Sequence, residues 1–251
     1  MTRLRRIGVL GGMGPEATVA LLQRVQGGVL ARDDADHVPL LVDLNPQVPS
    51  RIKHLIEKTG PNPGPVIADM AERLETAGAE ALILPCNTAH HYSGYIIDRV
   101  TIPFLSMPQL TCDALAGLVS SGSHVGILAS PATNQTGLFQ TLLSERGLKT
   151  LWPNDEDIVL ATIQKIKTAG PTAGDLDLLQ KETDDLVDRG ADAILIGCTE
   201  FSLISAELSA PVQIVDAMDV LVKAVLVFSG VTCSDPDDRK TASGPSGNWP
   251  L

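Results

Sequence analysis

Residues 78–90 read GAEALILPCNTAH and residues 190–202 read GADAILIGCTEFS. In both, a glycine leads into an aliphatic run and a cysteine stands eight residues beyond it, at Cys86 and Cys198. A proline-led apolar stretch follows each, TIPFLSM at 101–107 and SAPVQIV at 209–215. Short apolar runs bounded by Gly and Pro read as strands buried on both faces, the kind found in parallel sheets. Two copies in the same order predict an internal duplication.

Working outward, RIGVLGG at 6–12 is a strand ending in a glycine loop, and PEATVALLQRVQGGVL carries apolar residues at helical spacing with Pro15 in the first turn. The same grammar returns at VPLLVDL (38–44), VIADMAERLETA (66–77), IPFLS (102–106) and QLTCDALAGLV (109–119). It restarts with HVGILAS at 124–130, ahead of GLFQTLLSERG. This alternation predicts an α/β protein of two similar subdomains, each with a parallel sheet flanked by helices, related by a pseudo-twofold axis. The expected halves are 1–113, carrying Cys86, and 114–228, carrying Cys198. Residues 229–251 lose apolar periodicity and gain Pro, Gly, Ser and Asp, which predicts a disordered tail.

With 251 residues and 44% of them hydrophobic, the chain can bury a large core. A net charge of −11 argues against a general affinity for nucleic acid or anionic lipid. No apolar run approaches the roughly 18 residues of a membrane span, and the start lacks a signal-peptide pattern. The expectation is a cytoplasmic protein whose partner is a small molecule, with no nucleic acid and no membrane. The four cysteines, 86, 112, 198 and 233, form no CxxC pair and have no histidine at metal-ligand spacing, so no metal is expected. Gly11, Gly12, Met13 and Gly14 match neither dinucleotide nor P-loop spacing; they suit a tight turn beside a small substrate, with Met13 in its wall.

Both duplicated cysteines fall at the carboxyl end of an expected parallel strand, where open α/β sheets bind ligands. A pseudo-twofold axis would set Cys86 and Cys198 on opposite walls of one crevice. Two opposed thiols without metal suit racemisation, in which one group removes a proton from one face of a stereocentre and another delivers a proton to the other. A redox pair is the rival reading.

IGVLGGMGPEAT at 7–18, PCNTAHH at 85–91 and GCTE at 197–200, in this order and spacing, resemble the aspartate/glutamate racemase superfamily. The GGMGP and GCTE forms look most like its aspartate racemase branch. The resemblance spans about residues 5–228 and implies racemisation of aspartate or glutamate without pyridoxal phosphate or any other cofactor, by a homodimer. It also implies that Cys198 works on the L face and Cys86 on the D face. Asn87, Thr88 and Thr199 are expected to bind the α-carboxylate, with helix capping as their bland alternative. Arg51, matching the basic position of a family loop, and Lys167 are the expected cations for a dicarboxylate. Ser130 and Thr133 match two family threonines and are expected to touch substrate. Glu200 would meet the substrate ammonium, tune the thiol or cap a helix, and His90 either orients a thiolate or bonds within the core. The alternatives are a non-catalytic acidic amino-acid sensor with a racemase-like cleft and a related superfamily isomerase.

Overall fold

The computed structural model describes residues 3–233. The first half runs β1 (Ile7–Gly11), α1 (Pro15–Gly27), β2 (Leu40–Leu44), α2 (Arg51–Leu55), α3 (Gly64–Thr76), β3 (Ala81–Ile83), α4 (Ser93–Ile97) and α5 (Met107–Ala116). The second runs β4 (His124–Leu128), α6 (Pro131–Gln135), α7 (Leu138–Ser144), β5 (Lys149–Leu151), α8 (Glu156–Ala169), α9 (Ala173–Asp188), β6 (Ala193–Ile196), β7 (Gln213–Asp216) and α10 (Ala217–Ser229). The strand orders are β2-β1-β3 and β5-β4-β6-β7, parallel throughout. The α/β architecture with two helix-flanked parallel sheets is thus as the sequence predicts.

The duplication extends to single contacts. A Cβ placed on Gly8 of β1 would meet Leu82, Ala79 and Leu74, and one on Gly126 of β4 would meet Ile194, Ala191 and Leu186. The two glycines admit α3 and α9 onto their central strands at equivalent points. Each central strand also starts at the same clamp. Arg6 N–H donates to Glu80 Oε2, and Glu80 N–H returns a bond to the Arg6 carbonyl. His124 and Asp192 repeat the exchange.

One apolar cluster joins Ile7, Val9 and Ile83 of the first sheet to Val125, Ile127 and Leu195 of the second through α1, α5, α7 and α10. Separate clusters cover the other face of each sheet, one with α3 and the other with α8 and α9. The halves therefore share a core, and the boundary expected at 113/114 falls inside α5, which packs on both α7 and α10. The run at 102–106 gives a single bridge, Leu82 to Phe104, in place of the expected strand. Of the tail expected over 229–251, Ser229 ends α10, Leu30 N–H donates to the Thr232 carbonyl and Cys233 bridges to Val29, so residues 229–233 are built into the fold. Residues 234–251 lie outside the described residues.

No helix among the described residues is long and apolar enough to cross a membrane. No group of three or more His, Cys, Asp or Glu among them is arranged to hold a metal ion.

Candidate active site

The carboxyl ends of β3 and β6 release short turns that carry the two cysteines. After β3, the chain turns at Pro85 and Cys86 into a 3-10 turn over Thr88–Tyr92, and the Cys86 carbonyl accepts from Ala89 N–H. After β6, the Cys198 carbonyl accepts from Phe201 and Ser202 N–H as a 3-10 turn begins at Phe201. Both cysteines are 7% exposed and reduced, and both open onto one cavity of about 610 Å³. The turns touch directly, because Asn87 Nδ2 donates to the Gly197 carbonyl at 2.9 Å. That bond leaves Asn87 Oδ1, a buried acceptor, without a partner among the described residues.

The cavity brings together Arg51, Cys86, Asn87, Thr88, Ser130, Lys167, Cys198, Thr199 and Glu200 from the expected set. Arg51 opens α2, whose Ser50 cap accepts from Lys53 N–H. Its Nη1 donates to the Val48 and Pro49 carbonyls at 3.2 and 2.9 Å, so the guanidinium is fixed by its own loop. Lys167 approaches from the last turn of α8, the element after β5 just as α2 follows β2. Its ammonium lies 3.3 Å from Glu200 Oε1. Burial works against the Lys167 charge, but the Glu200 carboxylate beside it favours the ammonium, and the lysine lies above its ordinary value.

Cys198 Sγ donates to Glu200 Oε2 at 3.0 Å. Burial, then the adjacent carboxylate, pushes this thiol well above its ordinary range, with Lys167 opposing. Cys198 is therefore held as a thiol. Cys86 has no carboxylate bonded to its sulfur among the described residues, which makes the two walls chemically unequal.

Two expected site residues lie off the cavity wall. Met13 is buried in the apolar cluster with Leu10, Val48 and Cys86, and Gly12 takes the wall position instead. Gly12 has φ +91°, and a Cβ there would lie 2.4 Å from the Asn45 carbonyl carbon. Thr133 is fully buried in α6, where its hydroxyl donates back to the Ser130 carbonyl at 2.6 Å. Ser130 itself reaches the wall while capping α6 through Ala132 N–H at 3.3 Å. His90 bonds within the core. Its Nε2 accepts from Met107 N–H, which leaves the proton on Nδ1 to be donated to the Cys86 carbonyl at 2.9 Å. Burial pushes its pKa down to about 4, so the ring is neutral.

Gln164 and Thr168 also line the cavity and were not foreseen, nor were Lys53 and Glu57. Gln164, Lys167 and Thr168 occupy one face of α8 at i, i+3 and i+4, the spacing that could have linked them.

The chain matches the Asp/Glu/Hydantoin racemase family over residues 10–225. It is 24% identical over 228 residues to the broad specificity amino-acid racemase RacX of Bacillus subtilis, covering 88% of this chain and 96% of that protein. Among solved structures, Picrophilus torridus aspartate racemase superimposes with a TM-score of 0.78 at 27% identity, covering 92% of this chain and 96% of that one. Glutamate racemase from Francisella tularensis, solved with D-glutamate, shares the fold with a TM-score of 0.60 at 18% identity, over 90% of this chain and 82% of that one.

Proposed function

This chain belongs to the Asp/Glu/hydantoin racemase family, and from that premise we propose that it racemises an acidic amino acid, aspartate before glutamate, using Cys86 and Cys198 as acid/base groups on opposite faces of Cα. One observation carries the reading: two cysteines at equivalent strand ends open on one cavity that also holds Arg51 and Lys167. The cations would offset the two carboxylates of the substrate in a chain of net charge −11.

The Arg51 guanidinium, held through Nη1, offers Nη2 and Nε to the side-chain carboxylate. The Thr88 and Thr199 hydroxyls make no hydrogen bond among the described residues, and they suit the α-carboxylate and the charge that grows on it as the carbanion forms. Asn87 Nδ2 gives one N–H to the Gly197 carbonyl, and its unpartnered Oδ1 suits the substrate ammonium.

Starting from the L enantiomer, the Cys198 proton passes from Sγ to Glu200 Oε2, and the thiolate takes the Cα proton. The planar carbanion then takes a proton from the Cys86 thiol, which gives the D enantiomer and a Cys86 thiolate. Lys167 gates the first transfer. Its ammonium pairs with Glu200 Oε1 at 3.3 Å, and a substrate carboxylate that draws the ammonium away leaves Glu200 free to take the proton.

Incubation with L-aspartate and with L-glutamate, followed by chiral chromatography, tests the reading. D-aspartate is expected to appear first. No D product from either acid after hours at micromolar protein would refute it and would favour an amino-acid sensor.

A further inference from the structure

Each cysteine turn is tied to the start of a distant helix by a side chain the catalytic scheme does not use. In the first half, His90, four residues beyond Cys86, donates from Nδ1 to the Cys86 carbonyl and accepts at Nε2 from Met107 N–H, in the first turn of α5. Its ring stacks on Phe104 with centroids 5.3 Å apart, so its plane is fixed. In the second half, Ser202, four residues beyond Cys198, donates its hydroxyl to Asp216 Oδ1 at 2.7 Å, while its N–H bonds the Cys198 carbonyl. Asp216 Oδ1 also accepts from Met218 N–H at 2.8 Å, in the first turn of α10. Its Oδ2 accepts from Ser205 at 2.6 Å and from Arg24 Nη1 at 3.1 Å. Arg24, from α1, also donates to the Ser202 carbonyl. The carboxylate is 7% exposed, so a buried charge with four partners holds the turn that carries Cys198.

The two ties occupy equivalent places in the duplicated fold but differ in chemistry. One is a neutral ring with one donor and one acceptor, and the other is a buried anion matched to a guanidinium. Both ring nitrogens of His90 and both carboxylate oxygens of Asp216 are bonded, which fixes geometry more firmly than partly satisfied groups do. We propose that His90 and Asp216 are matched positioning residues, His90 setting the Cys86 sulfur against one face of Cα and Asp216, through Ser202, setting the Cys198 sulfur against the other. This rests on the two-cysteine reading above. A shift of about 1 Å at a reacting group costs up to about 100-fold in rate. Loosening one tie should therefore slow proton transfer on one face only.

That prediction has a signature that general loss of structure lacks. The enantiomers have equal free energy, so kcat/KM is the same in both directions for every variant. The isotope effect is free to differ, since it reports how far proton removal on the starting face limits the rate. The test compares Cα-deuterated with unlabelled aspartate, from each enantiomer, for the parent protein, His90→Asn and Asp216→Asn. His90→Asn should lower kcat/KM about 10- to 100-fold, with a larger isotope effect from D-aspartate and a smaller one from L-aspartate. Asp216→Asn should give the mirror image. Should either variant fail to fold, His90→Gln and Ser202→Ala replace them, the latter leaving Asp216 its bonds to Met218, Ser205 and Arg24. Isotope effects that stay at parent values, or that move in the same sense in both variants, overturn the positioning assignment while racemisation by the parent stands. A parent protein that does not racemise overturns the reading beneath it instead.

Discussion

Replacing Arg51 with alanine should separate recognition from folding, because the guanidinium holds its own loop and, in the proposed function, also meets the side-chain carboxylate. Nη1 holds the Val48 and Pro49 carbonyls and so shapes the loop before α2. Its loss there weakens the site for any substrate. The free edge of the fork is the part available to a side-chain carboxylate. Removing one partner of a desolvated charge pair costs about 2–5 kcal/mol, which is about 30- to 4000-fold in kcat/KM. The quantity to measure is therefore the ratio of kcat/KM for aspartate to that for alanine, an amino acid without the second carboxylate. The loop contribution cancels in this ratio, and Arg51→Ala should lower it by about the factor above. Arg51→Lys should recover little, since an ammonium cannot present two parallel donors. An unchanged ratio, with both substrates slowed equally, would show that Arg51 serves only its loop.

Further outcomes follow from the same geometry. Cys86→Ala and Cys198→Ala should each abolish interconversion, because the thiols act as a unit, while Cys112→Ala should retain it, as chiral chromatography would show. Gly12→Ala forces a Cβ onto φ +91° and against the Asn45 backbone, so it should cost more than about 2 kcal/mol and lower Tm by at least about 4–8 °C in calorimetry. His90 is held neutral with a pKa of about 4 against an ordinary 6.5, so the unfolded chain binds its proton first as pH falls. Its contribution is intact above 6.5 and is lost between 6.5 and 4, by about 3 kcal/mol. Urea midpoints over that range should therefore fall further for the parent than for His90→Asn.

The readable parts of this fold were those written as pattern. The strand ends at Cys86 and Cys198 stand out because a buried parallel strand must be apolar throughout and because the chain writes the unit twice. The strand expected at 102–106 shrinks to a bridge because Pro103 lies inside the run and lacks an N–H for the ladder, whereas Pro211 precedes β7 and spares it. The three residues of β5, Lys149–Leu151, have too little apolar character to signal a strand. At the site, residue type located the cations and hydroxyls, but side-chain direction was illegible. Met13 and Thr133 sit one residue or one turn from the wall and point into the core. Asp216 carries no motif at all, and its role emerges only where β7, α1 and the turn after Cys198 converge. The shared core was equally hidden, since apolar periodicity marks which face of a helix is buried and not which sheet it covers.

The most direct test of two opposed thiols is the isotopic content of the first product formed in heavy water. If Cys198 keeps the proton it removes while Cys86 delivers one that came from solvent, D-aspartate formed at low conversion from unlabelled L-aspartate carries deuterium at Cα. Mass spectrometry on the separated enantiomers reads this out once the free thiols have been equilibrated with solvent before mixing. Nearly complete deuteration of the early D-aspartate is the expected result. Early D-aspartate retaining substantial Cα protium would mean that a single base serves both faces, and would contradict the account.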